Sequence, residues 1–153
     1  MSRAGIPESV VNGFNGSRVV IVASSWHTQI MDGLLAGAER ALRKAGNTEY
    51  QVIRVPGAFE LPLAAQRAAN SGAAAVIALG VVIQGDTPHF DYVCDAATSG
   101  LMRVQLDTGV PVGFGLLTVD TEEQGLARAG LESSREDKGA EAVEAAIAMA
   151  RLS

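Results

Sequence analysis

Apolar residues in this chain come in two rhythms that alternate from one end to the other. Residues 18–23, RVVIVA, form a β-branched run without polar alternation, as expected of a parallel strand covered on both faces. Over residues 26–44 the apolar positions Ile30, Met31, Leu34, Leu35, Ala38, Ala41 and Leu42 recur three and four apart, which predicts a helix, and Gly46-Asn47 supplies its stop. Residues 50–55 repeat the strand signal, and residues 59–69 have helical composition, with Pro62 acceptable only in the first turn. A third strand is expected at 73–83, apolar almost throughout. Helical spacing returns after His89 and runs to about residue 106, where Asp107-Thr108-Gly109 closes it. Residues 111–118 read as a fourth strand. Thr121-Glu122-Glu123-Gln124 then has the form of a capping box opening a helix that reaches residue 129 and stops at Gly130. A last helix over 136–152 places Ala140, Val143, Ala146, Ile147 and Ala150 on one face.

Strands alternating with helices at these lengths imply βαβ units with right-handed crossovers. The expected architecture is a single-domain, doubly wound, three-layer α/β/α fold with a four-stranded parallel sheet over residues 18–153. No internal repeat, low-complexity tract or linker interrupts it. Residues 1–17 carry Gly5, Pro7, Asn12, Gly13, Asn15 and Gly16, which favour turns, so they are expected to form an N-terminal arm ordered by a neighbouring molecule.

Composition sharpens this in several ways. A chain of 153 residues buries roughly two thirds of its unfolded surface, enough for one core. Yet 48% hydrophobic residues and a mean hydropathy of +0.19 are high for a small monomer, which points to a homo-oligomer. The balance of 12 basic and 17 acidic residues, 12 − 17 = −5, with no basic cluster longer than 40–44, argues against a nucleic-acid partner. Cys94 is the one cysteine, leaving neither an intrachain disulfide nor a Cys/His metal framework, and a reducing cytoplasm fits best. No leader pattern opens the chain and no segment approaches the roughly 20 apolar residues that cross a bilayer, so no membrane association is expected.

In doubly wound sheets the ligand lies beyond the carboxyl ends of the strands. Those ends carry Ser24-Ser25-Trp26, Gly57-Ala58-Phe59-Glu60, Gln84 to His89, and Val119-Asp120. Neither GxGxxG nor GxxxxGK[ST] occurs, so no dinucleotide or ATP is indicated and no cofactor is expected. Gly85-Asp86-Thr87 before a helix can turn backbone N–H groups toward a phosphate, or it can be an ordinary capped turn. His89 is of a type that exchanges protons near neutrality, or it is a first-turn residue bonded to water. Trp26 can stack on a flat heterocycle and Glu60 can accept from hydroxyls or ring N–H groups; equally, they can be a packing aromatic and a carboxylate favoured by a helix dipole. Arg128 and Lys138 are anion ligands or solvated charges. His27 reads as surface, Asp91 and Asp95 as the wet face of a helix rather than metal ligands, and Cys94 as a buried small apolar residue.

Five segments in order carry a resemblance: VIVASSWH at 20–27, VPGAFELP at 55–62, ALGVVIQGDTPHFDYV at 78–93, PVGFGLLTVDTEEQ at 111–124 and RAGLESSREDKGAEA at 128–142. With them the chain resembles the 6,7-dimethyl-8-ribityllumazine synthase family from residue 18 to about 150. The resemblance implies a flavodoxin-like fold and a condensation of 5-amino-6-(D-ribitylamino)uracil with 3,4-dihydroxy-2-butanone 4-phosphate, releasing phosphate and water without metal or redox cofactor. It implies that Trp26 stacks on the pyrimidine, that Ala58, Phe59 and Glu60 grip the ribityl chain, and that Val81, Val82 and Ile83 line the ring pocket. Gly85, Asp86 and Thr87 would hold the phosphate with Arg128, His89 would donate the proton, and Phe114 and Lys138 would complete the pocket from an adjacent subunit. Gln84 stands where many members carry arginine, which shifts phosphate binding toward Arg128 and the backbone amides. The stretch LESSRED at 131–137 is longer than the short turn of shell-forming members, which favours a free pentamer. A non-catalytic flavin- or lumazine-binding protein is the alternative, and His89, Arg128 and Lys138 argue against it, because binding a ring alone needs no phosphate ligand. A homologous group acting on lumazine in the next step matches less well at GAFE and TPHF.

Overall fold

The computed structural model describes residues 13–152, so most of the expected arm, residues 1–12, lies outside the described residues. Four strands form one all-parallel sheet in the order β2-β1-β3-β4: β1 Val19–Ser24, β2 Gln51–Val55, β3 Ala75–Ile83 and β4 Val112–Val119. Helices α1 Thr28–Lys44, α2 Leu61–Asn70, α3 His89–Thr108, α4 Glu122–Leu126 and α5 Lys138–Ala150 complete the three-layer α/β/α architecture, and the flavodoxin-like expectation is borne out.

Alternation along the strands builds two cores. Ile21, Ile77, Leu79 and Leu117 pack under α1 and α5, with Leu34, Val143 and Ile147 opposite. On the other face Val20, Val22, Val76 and Leu116 meet Leu61 of α2 and Leu101 of α3. Every residue of β1 is buried, which explains its unbroken apolar run. Strand β2 sits at the sheet edge and is exposed along most of its length, although its sequence carries the same β-branched signal. Glycine lets α5 press close. A methyl at Gly139 would stand 2.1 Å from the Leu34 carbonyl oxygen of α1, and one at Gly113 2.3 Å from the Ala142 carbonyl oxygen.

Several element ends differ from expectation. Helix α1 starts at Thr28 and not at residue 26, because His27 adopts a left-handed conformation. A 3-10 turn, Ala58–Glu60, precedes α2, and Pro62 falls in the first turn where it is tolerated. Thr121 caps α4 by accepting from Gln124 N, while Gln124 reaches back to Asp120 N instead of Thr121 N. That helix ends at Leu126, three residues short, because residues 127–130 turn to pair with 135–138. For the same reason α5 opens at Lys138, with Asp137 as its cap, and leaves Glu136 outside the helix.

Strand register makes a step in the carboxyl edge of the sheet. Ser24 ends β1 opposite Val55 of β2, and Ala23 lies opposite Leu79, so β3 runs on past β1 to Ile83, paired with Val119. The overrun leaves Val82 and Ile83 only partly covered.

Candidate active site

Three loops meet at the step where β1 and β2 stop and β3 continues. Ser25 ties the first to the second, its N–H donating to the Pro56 carbonyl at 3.3 Å and its hydroxyl to the Val55 carbonyl at 2.7 Å. His27 comes next with φ 61° and ψ 68°, the one non-glycine residue with positive φ among the described residues. Such a conformation costs about 1 kcal/mol or more and recurs at functional sites. It turns the chain into α1 and leaves Trp26 67% exposed. A methyl at Gly57 would lie 3.7 Å from the Trp26 ring, so the second loop runs close beside the indole. Gly57 N donates to Glu60 Oε1 at 2.9 Å, which fixes the carboxylate at the start of α2 and leaves its other oxygen unengaged by Gly57.

Together these residues enclose a cleft of about 630 Å³, within the usual range for small-molecule sites. Trp26, Ala58, Phe59, Glu60, Val81, Val82, Ile83 and His89 all line it, eight of the residues singled out in the sequence. His27, Tyr92 and Val93 line it as well. His27 is exposed as expected but faces the cleft. Tyr92 lies three residues after His89 on α3, and that helical spacing was the available signal. No lysine or arginine among the described residues lines this cleft.

Phe114, Arg128 and Lys138 lie elsewhere, in a second cleft of about 380 Å³ along the open edge of β4, with Thr118 and Glu141. Arg128 and Lys138 are not simply solvated. Glu136, whose side chain is 9% exposed, lies 3.6 Å from Arg128 Nε and 3.1 Å from Lys138 Nζ, and Glu141 lies 3.0 Å from the same Nζ. Burial by itself would lower the ammonium's pKa, but hydrogen bonds and charge from Glu141 and Glu136 outweigh it and hold Lys138 above the ordinary lysine value.

Gln84, Gly85, Asp86 and Thr87 stand exposed on the loop between β3 and α3 and line neither cleft. The Thr87 hydroxyl accepts from His89 N at 3.4 Å, a local turn bond. Asp91 and Asp95 are exposed on α3, and no group of three or more His, Cys, Asp or Glu that could hold a metal ion occurs among the described residues. Cys94 departs from expectation: it is only partly covered, because α3 turns this side outward, and burial with the nearby Asp91 pushes its thiol pKa up. None of the described helices is long and apolar enough to cross a membrane.

The sequence profile of 6,7-dimethyl-8-ribityllumazine synthase matches residues 16–153. The chain belongs to the lumazine synthase family. Relatives of that name include one from Kineococcus radiotolerans, 65% identical over 96% of this chain and 91% of its own length. One from Streptomyces coelicolor is 57% identical over 98% and 93%, and one from an Arthrobacter species 61% identical over 98% and 96%. Lumazine synthases are transferases of riboflavin biosynthesis, and this chain is such an enzyme. Both clefts fall inside the matched region.

Proposed function

We propose that the chain joins 5-amino-6-(D-ribitylamino)uracil to 3,4-dihydroxy-2-butanone 4-phosphate, releasing phosphate and water, at a site assembled from both clefts. The observation that carries this is their division of labour: among the described residues the first is lined by an exposed indole, a carboxylate and two histidines but no lysine or arginine, and the second by two cations and no histidine. Trp26 stacks on the pyrimidine, Ala58, Phe59 and Glu60 hold the ribityl hydroxyls, and Val81, Val82 and Ile83 bound the ring. Arg128 takes the phosphate ester together with the amides of Gly85, Asp86 and Thr87, while Phe114 and Lys138 close the pocket. A second copy brings these groups to the first cleft, and the assembly is a pentamer in the cytoplasm. Residues 1–17 act as an arm on the domain formed by 18–153, with Phe14 buried against it and Phe14 N bonded to the Ala45 carbonyl at 2.8 Å.

An amine of the uracil adds to the ketone with loss of water, phosphate leaves by elimination, and the resulting enone or its tautomer closes onto the second nitrogen with a further loss of water. His89 carries protons in these steps, a contribution of about 10² to 10⁴, while holding two substrates together supplies more. The deciding assay mixes purified protein with both substrates and follows lumazine absorbance and phosphate release against an enzyme-free control. Accelerated, equimolar release is expected; tight ring binding without acceleration would indicate a binding protein instead. Sedimentation at the mass of five subunits is expected, and a mass near twelve pentamers would overturn the assembly.

A further inference from the structure

Glu136 precedes α5 and does not line the second cleft, whereas Arg128 and Lys138 on either side of it do. The backbone sets this arrangement. Glu136 N donates to the Ala127 carbonyl at 3.0 Å, Gly130 N donates to the Glu136 carbonyl at 3.0 Å, and Lys138 N donates to the Arg128 carbonyl at 3.0 Å. A short antiparallel bridge between Ala129 and Asp137 completes the ladder. Ser134 braces the loop by accepting from Leu131 N and donating to the Leu126 carbonyl.

The ladder brings the two cations side by side with the Glu136 carboxylate behind them. Oε2 lies 3.6 Å from Arg128 Nε and Oε1 3.1 Å from Lys138 Nζ. The Oε1 contact is an ion pair without good hydrogen-bond angles, and Oε1 has no other donor among the described residues. A buried carboxylate without its cations is strongly unfavourable, so Glu136 keeps both in place. Each cation retains a donor. Arg128 Nη1 donates to the Gln124 carbonyl at 2.9 Å, which leaves Nη2. Lys138 Nζ donates to Glu141 Oε1 at 3.0 Å and pairs with Glu136 by charge, so the ammonium, with three N–H groups, keeps donor capacity.

We infer that Glu136 is a positioning residue of the phosphate half-site: anchored on its other side by Lys138, it holds Arg128 from behind so that the remaining N–H groups of the guanidinium meet the phosphate ester. The inference rests on the proposed condensation, which supplies that ester. Glutamine has the same shape but turns an N–H toward one of the two cations, which must then swing away.

Glu136→Gln, Arg128→Ala and the double variant test this in the two-substrate assay, with sedimentation and melting temperature confirming that each assembles. Glu136→Gln should raise KM for the phosphorylated substrate about tenfold and leave KM for the uracil within about twofold. In the Arg128→Ala background the same change should have less than half that effect, because coupled residues are not additive. The Lys138 pKa, read from the pH dependence of its acylation, should fall in Glu136→Gln. Full additivity would overturn the inference, as would a lower KM for the phosphorylated substrate, which would make the carboxylate a mere competitor of phosphate. An inactive wild-type chain would instead remove the proposed condensation; an active one with an unaltered Glu136→Gln removes only this inference.

Discussion

The cleft at the ends of β1, β2 and β3 and the cleft beside β4 are made in different ways. In the first, loops that leave neighbouring parallel strands are stitched together by backbone and hydroxyl bonds, and large side chains stand out from them: Trp26 is 67%, Phe59 63% and Tyr92 74% exposed. Among the described residues no ion pair organises it. In the second, two cations and two carboxylates, Arg128, Lys138, Glu136 and Glu141, cancel within a partly buried cluster. In the proposed reading the first takes the flat ring and the second the phosphate ester. A parallel sheet brings loops together only at its strand ends, whereas β4 is an edge strand whose site depends on the return of the chain through α4 and the loop before α5.

The sharpest test of this division is His89→Ala. It should reduce turnover by about 10² to 10⁴ yet leave measurable activity above the uncatalysed reaction. Complete inactivity with intact binding would show that the first cleft does more than hold the ring and move protons.

Arg128→Ala comes next, with KM for the phosphorylated substrate rising by about 10- to 100-fold and KM for the uracil hardly changed, the usual worth of a hydrogen bond to a charged group. Equal effects on both constants would erase the distinction between the clefts.

Gly139→Ala probes how the second cleft depends on close helix packing. The added methyl meets the Leu34 carbonyl oxygen, so a stability loss of about 1–3 kcal/mol is expected in denaturant unfolding. Because Gly139 adjoins Lys138, phosphate binding should suffer while lumazine still binds the first cleft. Loss of ring affinity alone would reverse the comparison.

The smallest effect concerns Glu144 on α5, whose carboxyl pKa is raised by burial and then by Glu141 and Asp137, against the lowering effect of Lys44. A raised folded pKa means that the folded state binds the proton more tightly than the unfolded chain, so stability falls as pH climbs through this range and the ionised group costs stability at neutrality. Glu144→Gln should therefore raise stability slightly near pH 7, by less than about 0.5 kcal/mol, and the gain should vanish in acid below the unfolded carboxylate range. A gain that persists at low pH would assign the effect to packing.

Much of the fold was legible because parallel strands covered on both faces must be continuously apolar, as RVVIVA and the run through β3 are, and because α1 shows its buried face at spacings of three and four. Five lining residues of the first cleft, Trp26, Ala58, Phe59, Glu60 and His89, were legible for a related reason, that ligands gather where such strands end, while Val81, Val82 and Ile83 came from the family resemblance. Less legible were the helix limits near Ala127 and Glu136. Those ends are decided by pairing between residues 127–130 and 135–138, in which backbone groups trade helical bonds for a ladder that leaves no periodic signal.

Sequence alone determined the α/β alternation, the family through five ordered segments, and the identity of the aromatic, the histidine and the cations. Periodicity and residue type are local properties, readable wherever hydrophobic burial dictates them. Tertiary structure alone decided that the cations occupy a different cleft from His89, that His27 turns left-handed beside Trp26, and that the largely covered Glu136 side chain lies between Arg128 and Lys138. These depend on register, an edge strand and a backbone ladder, which couple residues through space, and on a charge balance that exists only once water has been excluded from around them.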